Sequence, residues 1–229
     1  MNLSINSPSS SLSIIDRVNK EREEKEEKLA SGKRINSAAD DAAGLQISER
    51  LTSQINGYEQ LSVNAQDQIN TNNVQSGQLS SISESLQRAN VLSIQSANPL
   101  SDNNAIQGEL DQLTEQINTI AGEALGNNSF ISGLDANDPQ ATQQALEAAF
   151  TSINSDAAAL GADSNALSSQ VSSYEVTRVN VSESRSRIQD TDYASTGSEQ
   201  QQLNTLLQAA VINKKDEDSR KGLLINQLV

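Results

Sequence analysis

From Asp138 to Ile188 the chain reads DPQATQQALEAAFTSINSDAAALGADSNALSSQVSSYEVTRVNVSESRSRI. Within it Leu146, Phe150, Ile153, Ala157, Leu160, Ser164, Leu167, Val171, Tyr174, Arg178, Val181, Arg185 and Ile188 follow at spacings that alternate between four and three. That alternation keeps one stripe of a helix turned toward a partner, as in a coiled-coil seam. Asp138 offers a carboxylate to cap the helix. Pro139 fits the first helical position, where no amide partner is needed. The polar and charged seam positions, Ser164, Arg178 and Arg185, either fix register or face a neighbour.

A seam this long needs partners of similar length, and the preceding sequence supplies them. Ser37 stands three residues before Asp40, a capping-box-like start. A helix is expected from about Ala38 to Ala97, roughly 90 Å of it at ~1.5 Å per residue. Leu51, Ile55, Tyr58, Ala65, Ile69, Leu79 and Leu86 share its heptad seam, and Gly57 and Gly77 are places where it can bend. Pro99 ends it. Asp102 then caps a second helix carrying Ile106, Leu110, Leu113, Ile117 and Ile120. Residues 126–133 read as a turn with at most a short β excursion near 126–139. The fold class expected is all-α: an elongated antiparallel helical bundle or coiled-coil rod with paired terminal helices.

The ends differ in character. Leu12, Ile14, Ile15 and Val18 begin an apolar face, and an unbroken charged run follows from Lys20 to Lys28. Glu21 with Lys25 and Glu24 with Lys28 have the spacing and order of helical ion pairs. At the other end Leu203, Leu206, Leu207, Ala210 and Val211 form a helical face. A charged stretch from Lys214 to Lys221 interrupts it before the apolar tail of Leu223, Leu224, Ile225 and Leu228. Leu12, Ile15, Leu203, Leu207, Leu224 and Leu228 are the expected terminal assembly residues. Because burying unpaired charge is costly, the two charged runs are expected to pair with each other or with a neighbour, or to face water; one arrangement sets them side by side so that they neutralise each other.

Composition narrows the chemistry. Among 229 residues, aromatics make up 2%, and there is no Trp, Cys or His. Disulfides, thiolate metal sites and histidine-based catalysis are thereby excluded. The formal net charge is -14, and residues 35–194 hold 20 acidic against 5 basic side chains. So acidic a middle repels nucleic acid and anionic membranes, and no window suits a membrane span. The start lacks the basic and apolar regions of a secretory signal. Asp40-Asp41 and the pair Asp190 and Asp192 could hold a cation in an enzyme, but acids near a helix start more simply favour its dipole. No catalytic, cofactor or metal residue is assigned.

Two segments carry a resemblance. One is Leu29-Ala30-Ser31-Gly32-Lys33-Arg34-Ile35-Asn36-Ser37-Ala38-Ala39-Asp40-Asp41-Ala42-Ala43-Gly44, and the other Ser184-Arg185-Ser186-Arg187-Ile188-Gln189-Asp190-Thr191-Asp192-Tyr193-Ala194. Together with Ala89–Asn98 they resemble bacterial flagellin, over residues 29 to about 125 and about 140 to 211. The resemblance implies a self-assembling subunit of the flagellar filament, a helical homopolymer used for motility. Alternatives are a hook–filament junction protein or a divergent flagellin-like protein that polymerises poorly.

It further implies three regions: residues 1–35 and 196–229 as the two halves of an inner terminal-helix domain, and 36–195 as a three-helix rod domain. The rod seam would be Leu51, Ile55, Tyr58, Ile106, Leu110, Leu113, Ile117, Leu146, Phe150, Ile153, Leu160, Leu167 and Val171. By the same resemblance the subunit is secreted by type III export to the extracellular flagellum. Its partners are an export chaperone, cap and junction proteins and a host flagellin receptor, for which the matching contacts are Arg88, Leu92 and Glu109. The variable outer region of flagellins would here be reduced to about residues 126–139.

Overall fold

The computed structural model describes residues 10–226, with side chains over 12–220. It contains α1 (Ser10–Ser31), α2 (Ala38–Ser96), α3 (Asn103–Leu125), α4 (Pro139–Gln189) and α5 (Tyr193–Asn226). Among the described residues there is no strand; one isolated antiparallel bridge joins Lys33 and Asp190. No described helix is long and apolar enough to cross a membrane. The chain divides into a central unit, residues 57–177, and a terminal unit made of 1–56 and 178–229.

The helix boundaries follow from local chemistry. Asp102 accepts hydrogen bonds from the amides of Asn104 and Ala105 at 3.1 and 3.3 Å, and α3 starts behind it. α3 stops at Gly126, whose φ of 70° is left-handed, a conformation that costs a side chain about 1–2 kcal/mol and glycine nothing. The amide of Asn127 then reaches back to the Ala121 carbonyl at 3.2 Å. Asp138 accepts from the Ala141 amide at 3.0 Å, and Pro139 opens α4. Replacing Asp102 with Ala should cost about 0.5–2 kcal/mol of unfolding free energy by urea titration, and Asp102→Asn much less.

α2 is not continuous from its first residue. Asp41 is extended (φ -165°, ψ 96°), and the regular helix begins after it. The Asp40 carboxylate reaches back to the amides of Asn36 and Ser37 at 3.0 and 2.9 Å. Asp41 separately accepts from the Gly44 amide at 2.9 Å. The two acids therefore do different jobs: one holds the incoming loop, the other caps the helix. The break lies there rather than at Gly57 or Gly77.

In the central unit, α2, α3 and α4 enclose one apolar core. Leu79, Ile82, Leu86, Ala89 and Leu92 come from α2, Ile106, Leu110, Ile117, Ala121 and Ala124 from α3, and Leu146, Ala149 and Ile153 from α4. Ile131, Leu134 and Ala136 of the connection between α3 and α4 complete it. Their backbone is irregular and pairs with no strand. Side chains of α3 and α4 substitute for one. The Asn118 amide group donates to the Ile131 carbonyl at 2.8 Å and accepts from its N–H at 2.9 Å. Gln107 donates to the Leu134 carbonyl at 3.0 Å and accepts from the Ala136 N–H at 2.8 Å. Thr142 does the same for both backbone groups of Asp135. Three apolar plugs thus enter the core with four of their backbone groups held by side chains.

Candidate assembly surfaces

The two segments singled out at opposite ends of the sequence meet in the terminal unit. The amides of Arg34 and Ile35 donate to the Gln189 carbonyl at 2.6 and 3.4 Å, and the Thr191 amide donates to the Gly32 carbonyl at 3.0 Å. The Arg34 guanidinium adds a bond to the Ile188 carbonyl at 2.6 Å. The loop before α2 and the loop after α4 are so fastened to each other. Gly32 has φ +70°, and a Cβ there would lie 2.6 Å from the Tyr193 hydroxyl. Ile35 is completely buried. Its terminal methyl and the Asp41 carboxylate crowd Gly44, where an added Cβ would meet them at 2.6 and 2.5 Å. Gly32 lets Tyr193 of the second segment approach, and Gly44 makes room for Ile35 within the first.

Beyond this clasp α1 and α5 pack together and run antiparallel. Val18 on α1 and Leu203 and Ala210 on α5 are buried. Lys25 forms an ion pair with Glu199, and Gln200 donates to Glu26 at 3.4 Å. These pairs correct the expected charge arrangement. Lys25 turns to α5 rather than to Glu21, which pairs with Arg17, and Arg22 pairs with Glu26. Nor do the two charged runs lie side by side. The register set by Lys25 and Glu199 puts 20–28 beside the uncharged-rich start of α5, while Lys214 pairs with Asp218 on its own helix. A local rule for i,i+4 pairs cannot see a partner 174 positions away.

Two carboxyls of this unit are held below their ordinary pKa. Asp40 is lowered by the amides of Ser37 and Asn36 and by the Ser37 hydroxyl. Glu199 is lowered by the hydrogen bond from Lys25 and by its charge. A depressed folded pKa means that the stabilisation is complete above the ordinary carboxylate value, about 4, and is lost as pH falls through the depressed one. Thermal unfolding across pH should therefore show the terminal unit weakening below about pH 4 and flat between about 5 and 8. Asp40→Asn and Glu199→Gln should flatten the acid limb.

Of the terminal residues expected to drive assembly, Leu203 is buried, Ile15 and Leu207 are half-buried, and Leu12 is 49% exposed. The Leu224 side chain and Leu228 lie outside the described residues. Leu206, Val211 and Ile212 of α5 and Leu12 and Ile14 of α1 present apolar surface to solvent. The seam residues Ile106, Leu110, Ile117, Leu146, Ile153 and Val171 are buried; Leu51, Ile55, Tyr58, Leu113, Phe150, Leu160 and Leu167 are half-buried. Tyr58 and Tyr174 meet with ring centroids 6.2 Å apart. Ala157, on the same stripe, is exposed. Arg88 and Glu109 form an ion pair at 2.7 Å on the surface of the central unit. Leu92, named with them, is only 2% exposed and belongs to the core, so its side chain offers no accessible contact. Among the described residues no group of His, Cys, Asp or Glu is placed to hold a metal ion.

Residues 4–136 match the family model of the bacterial flagellin N-terminal helical region, and residues 143–213 that of the C-terminal helical region. The chain belongs to the bacterial flagellin family. Only residues 137–142 separate the two flagellin matches. The chain is 40% identical over 139 residues to a flagellin of Clostridium tyrobutyricum, covering 57% of this chain and 37% of that one. Flagellin B of Vibrio anguillarum is 35% identical over 152 residues, 60% of this chain and 39% of the relative. The flagellar filament 41 kDa core protein of Borreliella burgdorferi is 34% identical over 144 residues, 61% and 43% respectively. The chain thus spans about two fifths of the length of these curated flagellin relatives.

Proposed function

We propose that this flagellin-family chain is a structural subunit that assembles with copies of itself into an extracellular bacterial flagellar filament. The observation that carries the reading is the clasp. The two segments singled out in the sequence, separated by some 150 residues, are joined through Gly32, Arg34, Gln189 and Thr191. The clasp leads directly into α1 and α5, whose outward faces carry Leu12, Ile14, Leu206, Val211 and Ile212. Such apolar surface on paired helices favours burial against further copies, in contacts that propagate rather than close. The Borreliella burgdorferi relative is itself named a flagellar filament core protein.

In this proposal residues 1–35 and 196–229 form the inner part of the subunit and 36–195 the surrounding rod. A subunit so built has no catalytic step. Type III export, an export chaperone, and cap and junction proteins belong to the same proposal. A host receptor contact would rest on the exposed Arg88–Glu109 pair, with Leu92 supporting it from beneath. Expression in a bacterium lacking its own flagellin tests the whole reading. Extracellular filaments containing this chain are expected; retention inside the cell, or secretion only as monomer, contradicts it.

A further inference from the structure

The heptad series Leu51, Tyr58, Ala65, Leu79 and Leu86 on α2 omits one position, and that position is Asn72. Asn72 is 1% exposed. It lies in the central unit near the end of α3, where Gln75 donates to the Ala124 carbonyl at 3.0 Å. Its amide donates to the Asp163 carboxylate at 2.7 Å and to the Ser164 hydroxyl at 3.3 Å, both on α4. Its oxygen accepts from Gln68 at 3.1 Å. The buried amide is therefore partnered through both its nitrogen and its oxygen, and two of its three partners come from the opposite helix.

A seam with a strict heptad looks the same after a shift of seven residues. Between Ala65 and Leu79 the α2 seam offers only Ile69 beside Asn72 and Ser76, and between Leu160 and Val171 the α4 seam offers only Leu167 beside Ser164, so few apolar contacts distinguish one register from another. Hydrophobic burial alone discriminates poorly between them. A buried amide discriminates well, because a shift removes its partners without exposing it to water. After one shift Asn72 would face Asp156 and Ala157, losing the hydroxyl; after the other, Gln170 and Val171, losing hydroxyl and carboxylate together. Tyr58 would lose Tyr174 in both and meet Leu167 or Val181.

We propose that Asn72, through Asp163 and Ser164, is the residue that sets the register of α2 against α4 in the central unit. It is a specificity device rather than a source of stability, since a well-packed apolar residue in its place would bury comparable surface without desolvating an amide.

The absence of cysteine makes the test clean. Spin labels on Val63→Cys and Ser173→Cys, both exposed positions, report the α2–α4 distance in the full chain. The wild-type distribution should be single and narrow. With Asn72→Leu a second population should appear, offset by one heptad or ~10 Å along the helix axis, while the melting temperature stays level or rises. Asp163→Ala combined with Ser164→Ala, which leaves the Asn72 side chain intact but strips its α4 partners, should also split the distribution and lower the melting temperature. A single, unshifted distance in both variants overturns the proposal, whatever happens to stability.

Discussion

Truncation of Leu86 to Ala is expected to lower the unfolding free energy of the chain by about 2–5 kcal/mol. Leu86 is fully buried at the centre of the α2 contribution to the core, with α3 and α4 residues completing the cluster. Three helices and the pinned connection close around it, so the space left by the removed atoms cannot be filled by a small rearrangement. Both the lost burial and the residual cavity then count against the variant. Val91, five residues on, is 53% exposed on the same helix and gives the control. Val91→Ala should stay within about 0.5 kcal/mol of wild type. Urea titration of both variants, read by far-ultraviolet circular dichroism, checks the pair. Equal small effects would mean that the core is loosely packed.

Ile35→Asp is expected to open the clasp. Ile35 has no exposed surface, and its side chain packs against Gly44 at the start of the regular part of α2. A carboxylate there has no partner, and an uncompensated buried charge costs about 3–5 kcal/mol. The loop can avoid that cost only by detaching, which sacrifices the Arg34, Ile35 and Thr191 backbone bonds. Hydrogen exchange at residues 32–36 and 189–192 should therefore accelerate strongly, while amides of the core around Leu110 and Ile117 remain protected. Ile35→Val should leave both regions near wild type. Uniform acceleration everywhere would instead mark Ile35 as part of one global core.

The features legible from the sequence were those decided within a few residues. Asp138-Pro139 and Asp102 act on the turn that follows them, so both helix starts could be read directly. Leu146, Ile153 and Val171 lie on a stripe whose period is itself the signal. What depended on distant partners was hidden. Asp40 and Asp41 look alike in the sequence; only the position of Gly44 and of the incoming loop separates their roles. Residues 126–139 suggested a β excursion because Phe130, Ile131 and Leu134 stand among turn-forming residues, yet Gly126 and Gly133 take left-handed φ and no strand forms. The partners of their backbone groups turned out to be the Asn118, Gln107 and Thr142 side chains, which no local pattern announces. Lys25 had a suitable acid at Glu21, and the fold gave it Glu199 instead. Leu92 stands between Val91 and Ile94, both exposed, and its burial is set by α3 and α4 rather than by its own turn. Asn72 was invisible for the opposite reason: a seam drawn through apolar residues steps over the polar one.

In the proposed assembly α1 and α5, joined by the clasp, form an antiparallel pair whose remaining apolar surface would be covered by further copies. Electron cryo-microscopy of material assembled from the purified full-length chain tests this most directly. The expected result is a helical filament in which each subunit keeps α1 beside its own α5, with Lys25 against Glu199. Persistent monomers under concentrating conditions, or filaments in which α1 and α5 of a subunit lie apart, would contradict it.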